Sequence, residues 1–361
     1  MALRPEQLAA LLAAKLRALV TEAWPERGIV VAKPFTAGAG LVAESEESGG
    51  AGAGWVLVDV VHRSVENIDI AADATGPELP RGWLGGAVVW AMRSGVSELH
   101  VLADHLNGDD ARRARLFSLP ITLWRVSGRS IAPVSATIYT APQPPDAVEM
   151  LFAEAIAASG ADAVVDHGVL RAEVLGLEVA TVTRGDDGVP YLAVGVGRHD
   201  RLAQAMMYGA ADSGTSLRTA VEAVRNFRRG DAGVHPANQL APERWLRCIV
   251  AASDPSLGPV ESTEPARLKH SSPAMLIDRT GDLVVACTTA VDLDAVAVAA
   301  DTRAVLAPDA DLRMVMPKSS LVPAMELLVA ALREPASIQL VDDAWRSVGM
   351  GDGQGTSAKV Q

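Results

Sequence analysis

The spacing of apolar residues predicts helices and strands in alternation along most of the chain. An amphipathic helix is predicted over Pro5–Trp24, where Pro25 ends it. Further helices are predicted at Trp83–Ser94, Asp109–Phe117, His199–Tyr208, Ser216–Arg228, Pro242–Ala252, Asp292–Val305 and Leu321–Arg333. Strands are predicted at Gly28–Lys33, Trp55–His62, Leu99–Ala103, Ile121–Val126, Ser130–Val134, Ala274–Ile277, Leu283–Thr288, Leu312–Met316 and Ser337–Val341. This alternation indicates an α/β fold with mixed sheets flanked by helices.

Proline-rich stretches suggest how the chain divides. The run Pro142–Pro145 continues neither a helix nor a strand, and a second proline-bounded linker covers Asp254–Pro265. We therefore expect an N-terminal α/β module at 1–141, a central module at 142–253 and a C-terminal α/β module at 266–346. The Gly- and Ser-containing tail at 349–361 is expected to be disordered. A chain of 361 residues is long enough for two or three such cores.

The two outer modules share a pattern. Trp55–Val126 and Leu283–Val341 both show the order strand, helix, strand, helix, strand, and the sequence at 69–73 resembles that at 297–301. An old duplication explains this pattern. The alternative is that any two α/β segments look alike in a chain so rich in Ala and Val.

The central module is predicted to be a meander between helices. Asp146 is placed to cap a helix that runs to about Ala158 and ends at Gly160. Three strand-like runs follow, at Ala163–Val165, Leu170–Thr183 and Tyr191–Val196. Asp186, Asp187 and Gly188 supply a tight turn between the last two runs.

A helix, a three-stranded meander and a second helix over 146–205 resemble the core of the PD-(D/E)XK (restriction-endonuclease-like) superfamily. The resemblance implies an acid from the first helix, Glu149 or Glu154, and an acid from the middle strand, Glu173 or Glu178. Such carboxylates would hold Mg²⁺ if they converged. The third strand should add an acid and a lysine, but Ala193 and Gly195 stand there.

We therefore expect a degenerate, non-catalytic relative of that superfamily. In the alternative interpretation, Glu173 and Glu178 are simply outward-facing side chains of a sheet strand.

A second candidate site follows the meander, in the sequence Gly195-Val-Gly-Arg-His-Asp-Arg. Two glycines and a helix start suit an anion such as phosphate, and Arg198, His199 and Arg201 would assist. The basic run that contains Lys269 and His270 would face this anion site from the third module. The ordinary alternatives are that Asp200 caps the helix and that the basic run is a surface loop. Asp292 and Asp294, at a strand-to-helix junction, are likewise either ligand-binding residues or helix caps.

Charge and composition narrow the classes of function. The formal net charge of −12 disfavours non-specific electrostatic binding to the phosphates of nucleic acid. Eight arginines nevertheless make residues 198–247 locally basic. The ordinary interpretation of that region is a solvated helix surface. The only two cysteines, Cys248 and Cys287, are too few for a disulfide framework, so we expect a reducing, cytoplasmic setting. No membrane segment is predicted.

Three hypotheses about function follow. The first is a non-catalytic binding or assembly protein with an eroded nuclease-like module and nucleic acid as a candidate partner. The second is an α/β enzyme acting on a small anionic or phosphorylated substrate. The third is a structural scaffold for protein–protein interaction. A protein partner or self-association is expected in the first and third hypotheses, and no membrane partner is expected.

Overall fold

The computed structural model describes residues 4–27, 30–43, 52–59, 79–208, 213–229, 235–265 and 272–347. Its helices are α1 (Pro5–Ala23), α2 (Trp83–Ser94), α3 (Gly108–Ala114), α4 (Ala147–Met150), α5 (Phe152–Ala158), α6 (Gly197–Tyr208), α7 (Ser213–Phe227), α8 (Pro242–Ser253), α9 (Ala295–Leu306) and α10 (Pro323–Ala330). Its strands are β1 (Val30–Phe35), β2 (Gly38–Ala43), β3 (Ala53–Val58), β4 (Glu98–Ala103), β5 (Ile121–Ser127), β6 (Ser130–Pro133), β7 (Asp162–Asp166), β8 (Val169–Val174), β9 (Leu177–Arg184), β10 (Pro190–Val194), β11 (Leu257–Val260), β12 (Ala274–Asp278), β13 (Leu283–Cys287), β14 (Asp311–Pro317) and β15 (Ala336–Val341). The expected mixed α/β fold is confirmed.

Contacts divide the chain into two compact units. The first is drawn from Met1–Tyr139, Val291–Val305 and Val322–Ser337, and the second from Thr140–Ala290, Leu306–Leu321 and Ile338–Gln361. These units cut across the three expected modules. The expected division into modules stays a prediction, because contacts in the folded chain do not show which segments fold alone.

The first unit is built on a six-stranded sheet in the order β1-β2-β3-β4-β5-β6. Strands β3, β4 and β5 are parallel, and the outer pairs are antiparallel. Helix α1 buries Leu16, Leu19 and Val20 against this sheet. That 3.6-residue spacing of apolar residues is what predicted the helix.

Helices α9 and α10 also belong to the first unit, and charged groups fix α9 there. Asp294 accepts hydrogen bonds from the backbone N–H groups of Gly82 (2.8 Å) and Gly85 (3.0 Å) at the start of α2. The carboxylate of Asp301, which is fully buried on α9, accepts hydrogen bonds from Arg112 of α3, from Nε at 2.7 Å and from Nη2 at 2.9 Å. Asp294 was expected to be either a ligand-binding residue or a helix cap. The structure shows a helix cap, and the helix that it caps, α2, is distant in sequence.

The second unit contains two sheets. One is an antiparallel meander in the order β10-β9-β8-β7, and the other has the order β11-β12-β13-β14-β15. Helix α8 packs on the second sheet, where Trp245 and Leu246 join Leu276, Val285 and Cys287 in one core. Helices α5 and α7 pack on the meander.

The expected repeat has a counterpart in strand pairing. Strands β1, β2 and β3 are successively antiparallel and β4 is parallel to β3. Strands β11, β12 and β13 are likewise antiparallel and β14 is parallel to β13. A helix packed on its sheet precedes each set, α1 in one and α8 in the other. The duplication stays a prediction, and the stretch 69–73 that suggested it lies outside the described residues.

The predicted three-stranded meander is wrong in one respect, because it has four strands. The run Leu170–Thr183 splits into β8 and β9 at a two-residue turn, where Leu175 and Gly176 have φ values of 49° and 75°. Positive φ at both positions is typical of a type I′ hairpin. The turn escaped prediction because Leu175 is apolar and partly buried, so the hydrophobic run continues without a break.

Two further strands were missed. Strand β2 is rich in Gly and Ala, and β11 lies in the stretch expected to be a proline-bounded linker. Pro259 is tolerated in β11 because that strand is at the edge of its sheet. The helix expected from Asp292 begins at Ala295, and the tail at 349–361 lies outside the described residues. Among the described helices, none has the length and apolar character needed to cross a membrane.

Candidate functional site

The meander sheet has one apolar face and one charged face. Pairing between β8 and β9 places Arg171 opposite Thr181 and Glu173 opposite Glu178. A register shift between Ala172 and Glu173 offsets β9 by one residue, so that these four side chains share a face. The other face packs against α5 and α7. The buried strand residues of this core are Leu170, Ala172, Val174, Leu177, Val179, Ala180, Val182, Leu192 and Val194. The charged face is therefore the candidate site.

Glu173 is 2% exposed and binds two arginines of α8. Arg244 Nη1 donates to Glu173 Oε1, and Arg247 Nη2 donates to Oε2 at 2.9 Å. The two arginines are three residues apart and so lie on the same side of α8. Gly176 permits this approach, because a Cβ there would lie 2.5 Å from the backbone carbonyl carbon of Arg244.

Glu178 is 8% exposed and binds Arg171 of β8 and Arg201 of α6. Asp166, at the end of β7, joins the two halves. It accepts a hydrogen bond from Arg244 Nη2 at 3.1 Å, and Arg171 Nε lies 3.6 Å from the same oxygen. The result is a row of alternating charges, which we call the ion-pair network: Arg247, Glu173, Arg244, Asp166, Arg171, Glu178 and Arg201.

The electrostatics of the network shift the pKa values of Asp166 and Arg244 in favour of their charged forms. Burial by itself would raise the pKa of Asp166, but the hydrogen bond with His167 and the charges of Arg244 and Arg171 outweigh it and lower the pKa to about 2. Burial would likewise lower the pKa of Arg244, yet the charges of Glu173 and Asp166 raise it overall. The Asp166 carboxylate is thus held as an anion by its hydrogen bond with His167 and by the guanidinium groups beside it.

These residues do not fit a Mg²⁺ site. The oxygens of Glu173 and Glu178 that a metal would need are already bound by arginines. Glu154 does not join them, since it is exposed on α5. In the described part of the chain, no group of three or more His, Cys, Asp or Glu residues is placed to hold a metal ion. Ala193 lies opposite Thr181 on the charged face but has no side chain that could act as a ligand.

Comparison with family models, with curated proteins and with solved structures finds no match to this chain. The resemblance of 146–205 to the PD-(D/E)XK core therefore stays a prediction that depends on the order of elements. Because the meander has four strands, the run expected to be its third strand is the fourth, β10.

The segment Gly195–Arg201 forms a tight turn into α6. Gly195 and Gly197 have φ values of 137° and 79°, which favour glycine. Asp200 accepts a hydrogen bond from the backbone N–H of Val196 at 2.7 Å, as a helix cap does, and Arg201 is bound to Glu178.

One candidate anion ligand in this turn, Arg201, therefore has a partner within the chain, and Asp200 accepts the hydrogen bond of a helix cap. His199 is exposed, the side chain of Arg198 is not described, and Lys269 and His270 lie outside the described residues.

The locally basic region differs from the solvated surface that the sequence suggested. Arg228, Arg244 and Arg247 are buried, whereas Arg218 and Arg225 are exposed. Arg228 is 2% exposed, donates to the carbonyl oxygens of Leu175 (2.6 Å) and Leu240, and stacks on Trp245 at 5.0 Å. The expectation of a solvated surface was wrong for these three arginines, because long side chains reach acids and carbonyls that the helical pattern does not reveal.

Sequence reasoning missed four members of the network as site residues: Asp166, Arg171, Arg244 and Arg247. One signal was available. Acids inside strands otherwise rich in Val, Leu and Ala need cationic partners if they are buried, and α8 offers two arginines at helical spacing.

Proposed function

We propose that this chain is a non-catalytic binding or assembly protein, in which the nuclease-like carboxylates act as structural counter-ions. One observation carries the proposal: Glu173 and Glu178, the strand acids available for metal binding, are each bound by two arginines. A guanidinium group occupies the lone pairs that a metal needs and adds positive charge where the ion would sit. The free thiols of Cys248 and Cys287 suit a reducing setting, so we place this role in the cytoplasm.

Fixed ion pairs suit a structural role better than a catalytic one. A catalytic metal needs open coordination positions and water that can be activated. In the network the carboxylates accept hydrogen bonds from fixed side chains of β8, α6 and α8. The network thereby joins two helices to a sheet and gives the binding module a rigid frame.

Calorimetric titration with Mg²⁺ and a nuclease assay test this role. We expect no saturable Mg²⁺ binding at the network and no Mg²⁺-dependent cleavage of DNA or RNA by the wild-type chain. The matched variants are Glu173→Gln in the network and Glu6→Gln at an exposed position of α1. Mg²⁺-dependent cleavage by the wild-type chain that Glu173→Gln abolishes and Glu6→Gln leaves intact would overturn the non-catalytic role.

Nucleic acid remains a second candidate partner because of one helix face. Arg218 and Arg225 are exposed on α7, and their spacing of seven residues places them on one side of the helix. Glu222 lies between them and reduces the local positive charge. If this face binds phosphates, affinity for DNA or RNA should fall steeply as salt rises, and Arg218→Ala should reduce the slope by about one counter-ion. Binding that does not change with salt or with Arg218→Ala excludes this partner.

A further inference from the structure

Strand β10 is an open edge with a distinctive composition. It pairs with β9 on one side, and no other described strand pairs with it. Apart from Pro190, which begins it, its residues are Tyr-Leu-Ala-Val, without a charge. The opposite edge of the same sheet, β7, carries Asp162 and Asp166. Because charged residues discourage edge-to-edge pairing, β10 is the edge of this sheet that is open to another strand.

Exposed apolar side chains lie at both ends of β10. Near its start, Val189 is 58% exposed, and Val148 of the neighbouring helix α4 and Leu151, which directly follows that helix, are also exposed. Arg184 holds that helix there, since it binds Asp146 and Glu149 of the helix and the carbonyl oxygen of Gly188 in the turn. Beyond the other end of β10, Leu202 and Met206 are exposed one turn apart on α6.

The two ends of β10 differ in charge. The turn before it carries Asp186 and Asp187, both exposed. In the segment after it the sequence has Arg198, Asp200 and Arg201, and Arg201 is bound to Glu178 within the chain. One end of the strand is therefore acidic and the other is not.

From this geometry we propose that β10 pairs antiparallel with β10 of a second copy of this chain. An antiparallel pair related by a two-fold axis places the start of each strand beside the end of the other. The acidic turn of one copy then lies at the non-acidic end of the second copy's β10, and the two acidic turns are kept apart. Val189 and α4 of one copy likewise meet Leu202 and Met206 of the second copy. A parallel pair would instead bring like charges together.

A second copy is the occupant that these observations favour. The complementary features lie on the same chain at opposite ends of one strand, which is the self-complementary pattern of an isologous interface. A five-residue strand with two small apolar patches is a small interface, so the dimer should exchange with monomer rather than be permanent.

Sedimentation velocity at chain concentrations from about 1 to about 100 µM tests the proposal. We expect the wild-type chain to shift from monomer to dimer across this range. Val189→Lys and Met206→Glu should each weaken the dimer at least about tenfold, because each places a charge on the apolar contact. Mixing the two variants should restore dimers, since one contact then joins Lys to Glu and the other is wild type. Ile138→Lys, at another exposed apolar position, is the matched control and should dimerise as wild type does.

Several results would overturn this interface. They are a wild-type chain that remains monomeric throughout the range, a dimer that both variants form equally well, and a failure of the mixture to recover. Hydrogen exchange supplies an independent reading, because amide protection in residues 191–194 should rise with concentration if the edge becomes paired. The inference rests on the proposed assembly role, but the two fail separately: metal-dependent cleavage would overturn that role, and a monomer would overturn the dimer.

Discussion

Glu173 and Glu178 lie directly opposite each other across the β8–β9 hairpin, and arginines on both sides neutralise them. Like charges in that position destabilise a hairpin unless cations intervene. Here the cations come from β8, α6 and α8, so the carboxylate pair links elements that are distant in sequence. The pair therefore connects helix packing to the stability of the sheet.

The first prediction concerns the loss of one buried charge. Glu173→Gln leaves Arg244 and Arg247 without their shared carboxylate in a site that water hardly reaches. Breaking a buried ion pair in this way costs about 3–5 kcal/mol. We expect the free energy of unfolding, measured by urea denaturation, to fall by that amount.

Glu154→Gln is the matched control for that loss, because the same carboxylate is removed from an exposed position on α5. Its effect should stay within about 0.5 kcal/mol. Equal effects of the two substitutions would mean that the network contributes nothing to stability.

The second prediction concerns Gly176, where backbone conformation and helix approach coincide. Gly176→Ala meets both a positive φ of 75° and a Cβ position 2.5 Å from the carbonyl carbon of Arg244. The positive φ alone costs about 1–2 kcal/mol, and displacing α8 adds to it. Gly188→Ala separates the two effects, because its φ is 76° but nothing lies within 4 Å of the added Cβ. Thermal unfolding should show a clearly larger loss for Gly176→Ala than for Gly188→Ala.

Most elements were predictable from local pattern, whereas the charged face was not. Helix α2 matches its expected bounds, and Asp146 caps α4 through the backbone N–H groups of Val148 and Glu149, both at 2.9 Å. Both depend on residues close together in sequence. The contact between Glu173 and Arg244 spans 71 residues and depends on how α8 meets the hairpin turn. The spacing of residues along the chain does not predict that contact.

The same limit applies to Asp294. Its sequence position, just before a helix, predicts a cap for that helix. Its carboxylate also accepts hydrogen bonds from the backbone N–H groups of Gly82 and Gly85 at the start of α2. Residue type indicated the correct chemistry, an acid at a helix start, but only tertiary packing brings this acid to α2.

The third prediction concerns His100, which is buried among tryptophans. Trp124 Nε1 donates to His100 Nδ1 at 3.2 Å, and Trp55 stacks on the ring at 5.6 Å. Burial lowers the pKa of His100, the nearby Glu98 carboxylate raises it, and Arg27 lowers it, with a net decrease. The folded state then binds fewer protons than the unfolded state below about pH 6.5, so stability should fall as the pH falls through that region.

Urea unfolding followed by tryptophan fluorescence between pH 7.5 and pH 5 measures this slope. The decrease should reach at most about 1.4 kcal/mol per pH unit for one histidine. His100→Gln should flatten the slope, whereas His199→Gln, a change at an exposed position, should leave it unaltered. A slope that His100→Gln does not change would assign the pH dependence to other groups.

The fourth prediction concerns the two thiols. Burial raises the pKa of Cys248 to about 11, with an opposing contribution from Arg247, and raises that of Cys287 to about 12. A thiol reacts as its thiolate, so at pH 8 both groups should be almost entirely protonated and protected from reagents. We expect labelling by an aromatic disulfide to be slow in the folded chain and complete within the mixing time in concentrated urea. Cys287 is completely buried, so its labelling should require global unfolding, and its labelling rate should fall under any condition that stabilises the folded chain. Rapid labelling of Cys287 in the folded chain would instead show that α8 and the sheet separate locally.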